Sequence, residues 1–130
     1  MRLLLDTHVL LWALADPDRL PAAARALIED AENEVFFSAA SLWEIAIKST
    51  LGRADFVADA EEVLAAMPEA GFAELPVRAR HAAEVSRLPQ IHRDPFDRML
   101  IAQARAEPMV LLTNDALLAG YPAAVRLLDT

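Results

Sequence analysis

The chain contains no cysteine, so it forms no disulfide, builds no thiolate zinc site and carries no thiol nucleophile. Glycine is nearly as scarce. Three in 130 residues cannot write a G-x-G-x-x-G dinucleotide fingerprint or a P-loop. No apolar run approaches the ~20 residues that cross a bilayer. In the opening Met1-Arg2-Leu3-Leu4-Leu5-Asp6 the acid arrives too early for the apolar region of a signal peptide, so a cytoplasmic domain with no membrane partner is expected. Positive charge is also short: 12 Lys plus Arg against 20 Asp plus Glu leave a net charge of -8. That balance argues against binding nucleic acid through a broad basic surface. Lys48 is the single lysine beside eleven arginines, and the accompanying 27 alanines point to an Ala/Arg compositional bias rather than to a phosphate-binding array.

What is present is material for a core. The composition is 55% apolar and 25% charged, which excludes a disordered chain, and the length predicts a single domain spanning 1–130. Short apolar runs alternate with helical periodicity. Strands are predicted at Arg2–Leu5, Glu34–Phe37, Phe72–Leu75, Met109–Leu112 and Val125–Leu128. Helices are predicted at His8–Ala15, Ala22–Ala31 behind Pro21, Ser41–Leu51 ahead of Gly52, Asp59–Met67, Val77–Leu88, Asp94–Glu107 and Asp115–Ala119. This alternation predicts an α/β fold: a three-layer α/β/α domain around a central, mainly parallel sheet of four to five strands. In such sheets ligands bind at the carboxyl ends of the strands, near a topological switch point. Polar residues directly after buried strands are therefore the ones to weigh.

Four carboxylates occupy such positions, and each has an ordinary structural explanation. Asp6, followed by Thr7, can cap the helix after the first strand. Glu44 completes Ser41-x-x-Glu44, a capping-box spacing, and forms an i,i+4 pair with Lys48. Asp94, Pro95 and Asp97 make a helix-start signature in which one aspartate suffices for the cap. Thr113, Asn114 and Asp115 follow a buried strand, and any of the three can cap what comes next. Taken together the acids are harder to dismiss. A parallel sheet opens at least three of these elements on one edge, and ionised carboxylates a few Å apart repel by roughly 4 kcal/mol per pair at an effective dielectric of 20. Protons or cations must then share the site. An all-oxygen donor set without cysteine or clustered histidine selects Mg²⁺ or Mn²⁺. A cation so held keeps open positions for phosphate oxygens.

The ordered motifs Leu3-Leu4-Leu5-Asp6-Thr7-His8, Ser38-Ala39-Ala40-Ser41-Leu42-Trp43-Glu44-Ile45, His92-Arg93-Asp94-Pro95-Phe96-Asp97-Arg98-Met99-Leu100-Ile101-Ala102-Gln103-Ala104 and Leu111-Leu112-Thr113-Asn114-Asp115 resemble those of PIN-domain ribonucleases, specifically VapC-like toxins of type II toxin–antitoxin pairs. The resemblance covers essentially the whole chain. It implies a Mg²⁺-dependent endoribonuclease (Mn²⁺ as an alternative metal) whose metal-binding and catalytic acids are Asp6, Glu44, Asp97 and Asp115. It implies supporting or substrate-contacting roles for Thr7, Asp94, Arg98, Thr113 and Asn114. It also implies RNA as substrate, a cognate antitoxin and a homodimer. His8 and His92, without His or Cys neighbours at ligand spacing, are expected to face solvent or phosphate rather than to bind metal. Arg93, Arg98 and Lys48 lie close in sequence to the acids and are candidates for flanking phosphates, weighed against plain surface ion pairing.

Two other classes remain open. A strand-end aspartate also opens phosphotransfer enzymes in which it is the nucleophile, but no lysine follows Lys48, as a receiver domain needs, and position 8 is His8 where the phosphatases need a second acid. A non-catalytic interaction module explains each acid as a cap, though not their order.

Overall fold

The protein's computed structural model describes residues 1–54 and 58–128. Five strands, β1 (Arg2–Leu5), β2 (Glu34–Ser38), β3 (Ala73–Leu75), β4 (Val110–Thr113) and β5 (Val125–Leu127), form one sheet in the order β3-β2-β1-β4-β5. Every neighbouring pair is parallel, so the expected mainly parallel sheet has the upper of its two predicted strand counts. Among the described residues six α-helices accompany it: α1 (Thr7–Ala15), α2 (Ala22–Glu29), α3 (Ala39–Thr50), α4 (Ala60–Ala70), α5 (Ala79–Glu84) and α6 (Pro95–Ala106).

The three-leucine run of β1 shows how the layers arise. Successive side chains of a strand point to opposite faces, and all three leucines are fully buried, so both faces must be covered. Leu3 and Leu5 pack with Val9 and Leu10 of α1, Ile45 of α3, and Val63 and Met67 of α4. Leu4 packs on the other face with Leu100, Ile101 and Ala104 of α6. β4 repeats the alternation, with Leu112 in the first cluster and Leu111 in the second. Continuous apolar strands are what a doubly covered parallel sheet requires.

Several element boundaries differ from expectation, each for a local reason. β2 runs straight into α3, which begins at Ala39 rather than Ser41. Ser38 is both the last strand residue and the N-cap, its Oγ accepting from the Ala40 amide at 3.0 Å and donating to Gln103 Oε1 at 2.6 Å. The expected Ser41–Glu44 capping box is therefore absent: both residues lie inside the helix, where their side chains are released for other contacts. α4 continues through Pro68 to Ala70 and stops at Gly71, whose φ of 78° lies in the left-handed region that closes helices at little steric cost. The predicted Val77–Leu88 helix is shorter, α5 followed by a 3-10 turn at Val85–Arg87, and Asp115 caps a 3-10 turn, Ala116–Gly120, rather than an α-helix. No helix among the described residues is long and apolar enough to cross a membrane.

Strand order sets the position of the site. From β1 the chain builds outward to β2 and β3, then returns to add β4 and β5 on the other side of β1. The direction of winding reverses between β1 and β4, and the loops leaving their carboxyl ends diverge there, which opens a crevice. The register pairs Leu5 with Leu112. The residues that follow, Asp6 and Thr113, are therefore neighbours at the mouth.

Candidate active site

Asp6 leaves β1 in extended conformation and caps α1, accepting from the Val9 amide at 2.9 Å through Oδ1. Its other oxygen accepts the Thr113 hydroxyl from the end of β4. Both are buried. The capping role and the site role thus coexist in one carboxylate, because it has two oxygens and the cap uses one. Burial pushes the Asp6 carboxyl above its ordinary pKa, against the pull of Thr113 and Val9.

Glu44 enters from the second turn of α3 and is only 3% exposed. Its Oε1 accepts the Thr7 hydroxyl at 2.6 Å, and the Ser41 hydroxyl lies 3.0 Å from that of Thr7. Its Oε2 accepts from Lys48 Nζ at 2.5 Å. The i,i+4 pair seen in the sequence is real, but it is not a surface pair. The Lys48 ammonium also reaches Asp94 Oδ2 at 3.3 Å, joining α3 to the start of α6. Burial alone would lower the Lys48 pKa, but the hydrogen bonds and charges of Glu44 and Asp94 together turn the net shift upward.

Asp94 is the N-cap of α6, its Oδ1 accepting from the amides of Phe96 at 2.8 Å and Asp97 at 3.3 Å. Asp97, in the first helical turn, then points into the cleft. Its carboxyl is raised to about 7, by burial first and then by the charges of Asp94, Glu44 and Asp6, with His92 acting against the rise. Asp115 caps its own turn through Oδ1, accepting from Leu117 N at 3.0 Å, and its amide donates to Thr113 Oγ1 at 3.0 Å. Thr113 thus touches two of the four acids at once.

His92 sits among them. Its Nδ1 accepts the Asp94 amide at 3.0 Å, which assigns the ring proton to Nε2. That Nε2–H faces Asp115 Oδ2 at 3.0 Å and Asp97 Oδ2 at 3.3 Å. These three side chains offer ligand atoms within 4.8 Å of one another, yet in this tautomer His92 is a donor to two carboxylates and not a metal ligand.

Asp6, Glu44, Asp97 and Asp115, drawn from four separate elements, line one cleft of about 430 Å³, with Thr7, His8, Lys48, Arg53, Asp94 and Asn114 around them. Thr113, fully buried, supports Asp6 through its hydroxyl. One expected contact is corrected. Arg98 is 8% exposed and turned away, donating to the carbonyls of Val85 at 3.2 Å and Pro89 at 2.9 Å and to the Tyr121 hydroxyl. It staples α6 to the turn after α5 and is not positioned for substrate. Arg93 lines a separate apolar groove with Trp43, Val77, Phe96 and Met99. Sequence reasoning missed Arg53 at the cleft and the bridging role of His92. The one signal for His92 was its place two residues ahead of the Asp94 cap.

The donor chemistry fits a hard divalent cation. All four acids present oxygen, the described residues hold no thiolate, and burial together with the charges of Asp94, Glu44 and Asp6 opposes ionisation of Asp97, an opposition that a cation relieves.

The chain is similar over most of its length to known proteins of one family. The PIN domain family model matches residues 3–123. Ribonuclease VapC22 of Mycobacterium tuberculosis is 30% identical over 129 residues, covering 91% of this chain and 90% of its own. Among solved structures, VapBC2 from Rickettsia felis, bound to a DNA fragment from its promoter, superposes with a TM-score of 0.71 at 16% identity, covering 99% of this chain and 100% of that one. Mycobacterium tuberculosis VapC20, described as a sarcin-ricin loop cleaving toxin, gives 0.61 at 17% identity over 92% and 95% of the two chains. The chain therefore belongs to the PIN-domain family, as one of its VapC-type members.

Proposed function

We propose that this protein is a divalent-cation-dependent endoribonuclease, the toxin of a type II toxin–antitoxin pair, acting in the cytoplasm on RNA phosphodiester bonds. The observation that carries the reading is the convergence of Asp6, Glu44, Asp97 and Asp115 on one cleft at the switch point of the sheet. These four would hold Mg²⁺, with Mn²⁺ as an alternative. Bound there, the cation would neutralise charge on the phosphate and lower the pKa of a water.

The chain's own contribution is orientation. Thr113 and the Val9 amide hold Asp6 by its two oxygens. Thr7 and Lys48 hold Glu44 in the same way. His92 keeps Asp97 and Asp115 facing one another. Such support matters because misplacing a catalytic group by ~1 Å can cost ~100-fold in rate. The overall charge of -8 implies that RNA is repelled until the cation binds, so substrate affinity follows metal occupancy.

The antitoxin reading rests on the VapBC complexes among the structural neighbours and on an exposed apolar face. Leu10 of α1 is fully buried, and Leu11, Trp12 and Leu42 are partly covered. Trp43 is 64% exposed, with its ring edge-on to Phe96 at 5.2 Å. Exposed aromatics beside an apolar groove are the anchors protein partners use. A homodimer belongs to the same reading. The direct test is cleavage of a defined RNA pool by the purified protein with and without Mg²⁺, beside an Asp6→Asn variant. Mg²⁺-dependent cleavage lost in the variant supports the proposal; cleavage that survives chelation or the substitution rejects it.

A further inference from the structure

The sequence holds eleven arginines and one lysine, and that lysine is in the cleft. Lys48 extends from α3, its side chain 14% exposed, with Nζ 2.5 Å from Glu44 Oε2 and 3.3 Å from Asp94 Oδ2. The ammonium lies 5.6 Å from the centre of the Phe96 ring, a further site favourable to a cation. A compact ammonium bridging two carboxylates from different helices occupies the kind of position a bridging metal ion takes.

The oxygens divide accordingly. Both Glu44 oxygens are engaged by the protein, Oε1 by Thr7 and Oε2 by Lys48. Asp94 spends Oδ1 on the helix cap and gives Oδ2 to Lys48. On the other side of the cleft, Asp97 and Asp115 meet the Nε2–H of His92, a donor of the kind a cation can displace. Among the described residues, five carboxylates line the cleft: Asp6, Glu44, Asp94, Asp97 and Asp115. Lys48 offsets one of those charges permanently, and a single divalent ion offsets two more.

Building on the ribonuclease reading, we propose that Lys48 is a positioning residue that stands in for a second metal ion: it commits Glu44 Oε2 and Asp94 Oδ2 to an internal ammonium and limits the site to one divalent cation, shared by the remaining carboxylate oxygens of Asp6, Glu44, Asp97 and Asp115. A guanidinium is too broad and flat to copy a point charge at this position, which accounts for lysine here in an arginine-rich chain.

The test counts metal directly. Mn²⁺ is titrated into the metal-free full chain at pH 7.5, with free Mn²⁺ read by electron paramagnetic resonance, for the parent and for Lys48→Met and Lys48→Gln. The parent should take up one Mn²⁺ per chain. Each variant that keeps a cooperative thermal transition should take up two, with the first bound roughly tenfold tighter because a nearby positive charge is gone. RNA cleavage by the variants should fall at low Mn²⁺ and recover as Mn²⁺ rises. Two ions on the parent, no ion on the parent, or folded variants that still take one with unchanged affinity would each overturn the proposal. If neither variant folds, Lys48→Arg decides: one ion at parental affinity with full cleavage overturns the point-charge argument, and loss of single-ion binding upholds it. Parent protein that binds one ion yet leaves RNA intact refutes the ribonuclease reading and spares the role of Lys48.

Discussion

Replacing Asp97 by Asn separates a metal-site acid from a helix-start acid. Asp97 holds its proton up to about pH 7, from an ordinary 3.8, with burial the largest cause. Its side chain is 20% exposed, so solvent screens it only partly. At neutral pH the unfolded chain carries this group ionised, while the folded chain must either keep the proton or place a charge against Asp94, Glu44 and Asp6. At 1.36 kcal/mol per tenfold, the mismatch costs the folded state at most about 4 kcal/mol at pH 7. Relaxation of neighbours and residual solvent reduce that to about 1–3 kcal/mol, and loss of the favourable charge at the helix start returns ~0.3–1 kcal/mol. The net expectation is a metal-free Asp97→Asn protein that melts above the parent at pH 7.5, by up to roughly 8 °C. The sign follows from the raised pKa: the penalty is absent where both states are protonated, below about pH 4, grows as pH rises to about 7, and is constant beyond. The advantage of the variant should therefore shrink steadily as the pH is lowered from 7.5 towards 4. RNA cleavage should meanwhile drop by roughly 100-fold or more, since even residues that only support metal ligands cost 10–100-fold. Thermal unfolding across pH and a cleavage assay with Mg²⁺ check both halves. A variant that melts lower at pH 7.5 while keeping its specific activity would show that Asp97 serves only the start of α6.

Three more outcomes follow from the same geometry. Mg²⁺ or Mn²⁺ should raise the melting temperature and release protons near pH 7 as Asp97 ionises; calorimetry in two buffers of different ionisation heat reads the release, and identical heats would refute it. Arg98→Ala should cost about 1–3 kcal/mol of stability by removing its part-buried hydrogen bonds to the carbonyls of Val85 and Pro89, and Arg98→Lys should recover little; RNA affinity per folded molecule should not change, and a specific loss of affinity would return Arg98 to the substrate. An antitoxin segment that inserts an arginine among the four acids should compete with Mg²⁺, so its affinity should fall as Mg²⁺ rises and fall again in Asp6→Asn. Indifference to both changes would leave steric blocking over the Trp43 groove as the mode of inhibition.

The fold was legible because its signals are local. Uninterrupted leucines in β1 and β4 announce strands buried on both faces, Asp94-Pro95 opens α6, and alternating periods of two and 3.6 order the elements. The four acids were legible for a related reason, since in a parallel sheet the residues after buried strands share one edge, whatever the loops do. Other features were not. Ser41-x-x-Glu44 had capping-box spacing, but β2 feeds directly into α3 and makes Ser38 the cap. Arg98, next to a site acid in sequence, points away because a helix turns about 100° per residue. Lys48 was readable as an i,i+4 partner of Glu44 or as a candidate for flanking phosphates, but its second contact to Asp94 depends on how α3 packs against α6. His92 acquires its tautomer from an amide two residues on and its partners from 5 and 23 residues away. Sequence alone determined the identity of the acids and the sheet edge they share. Tertiary packing decided which oxygens the protein itself occupies and which it leaves to a cation, because hydrogen bonds between distant elements depend on distances that no local spacing encodes.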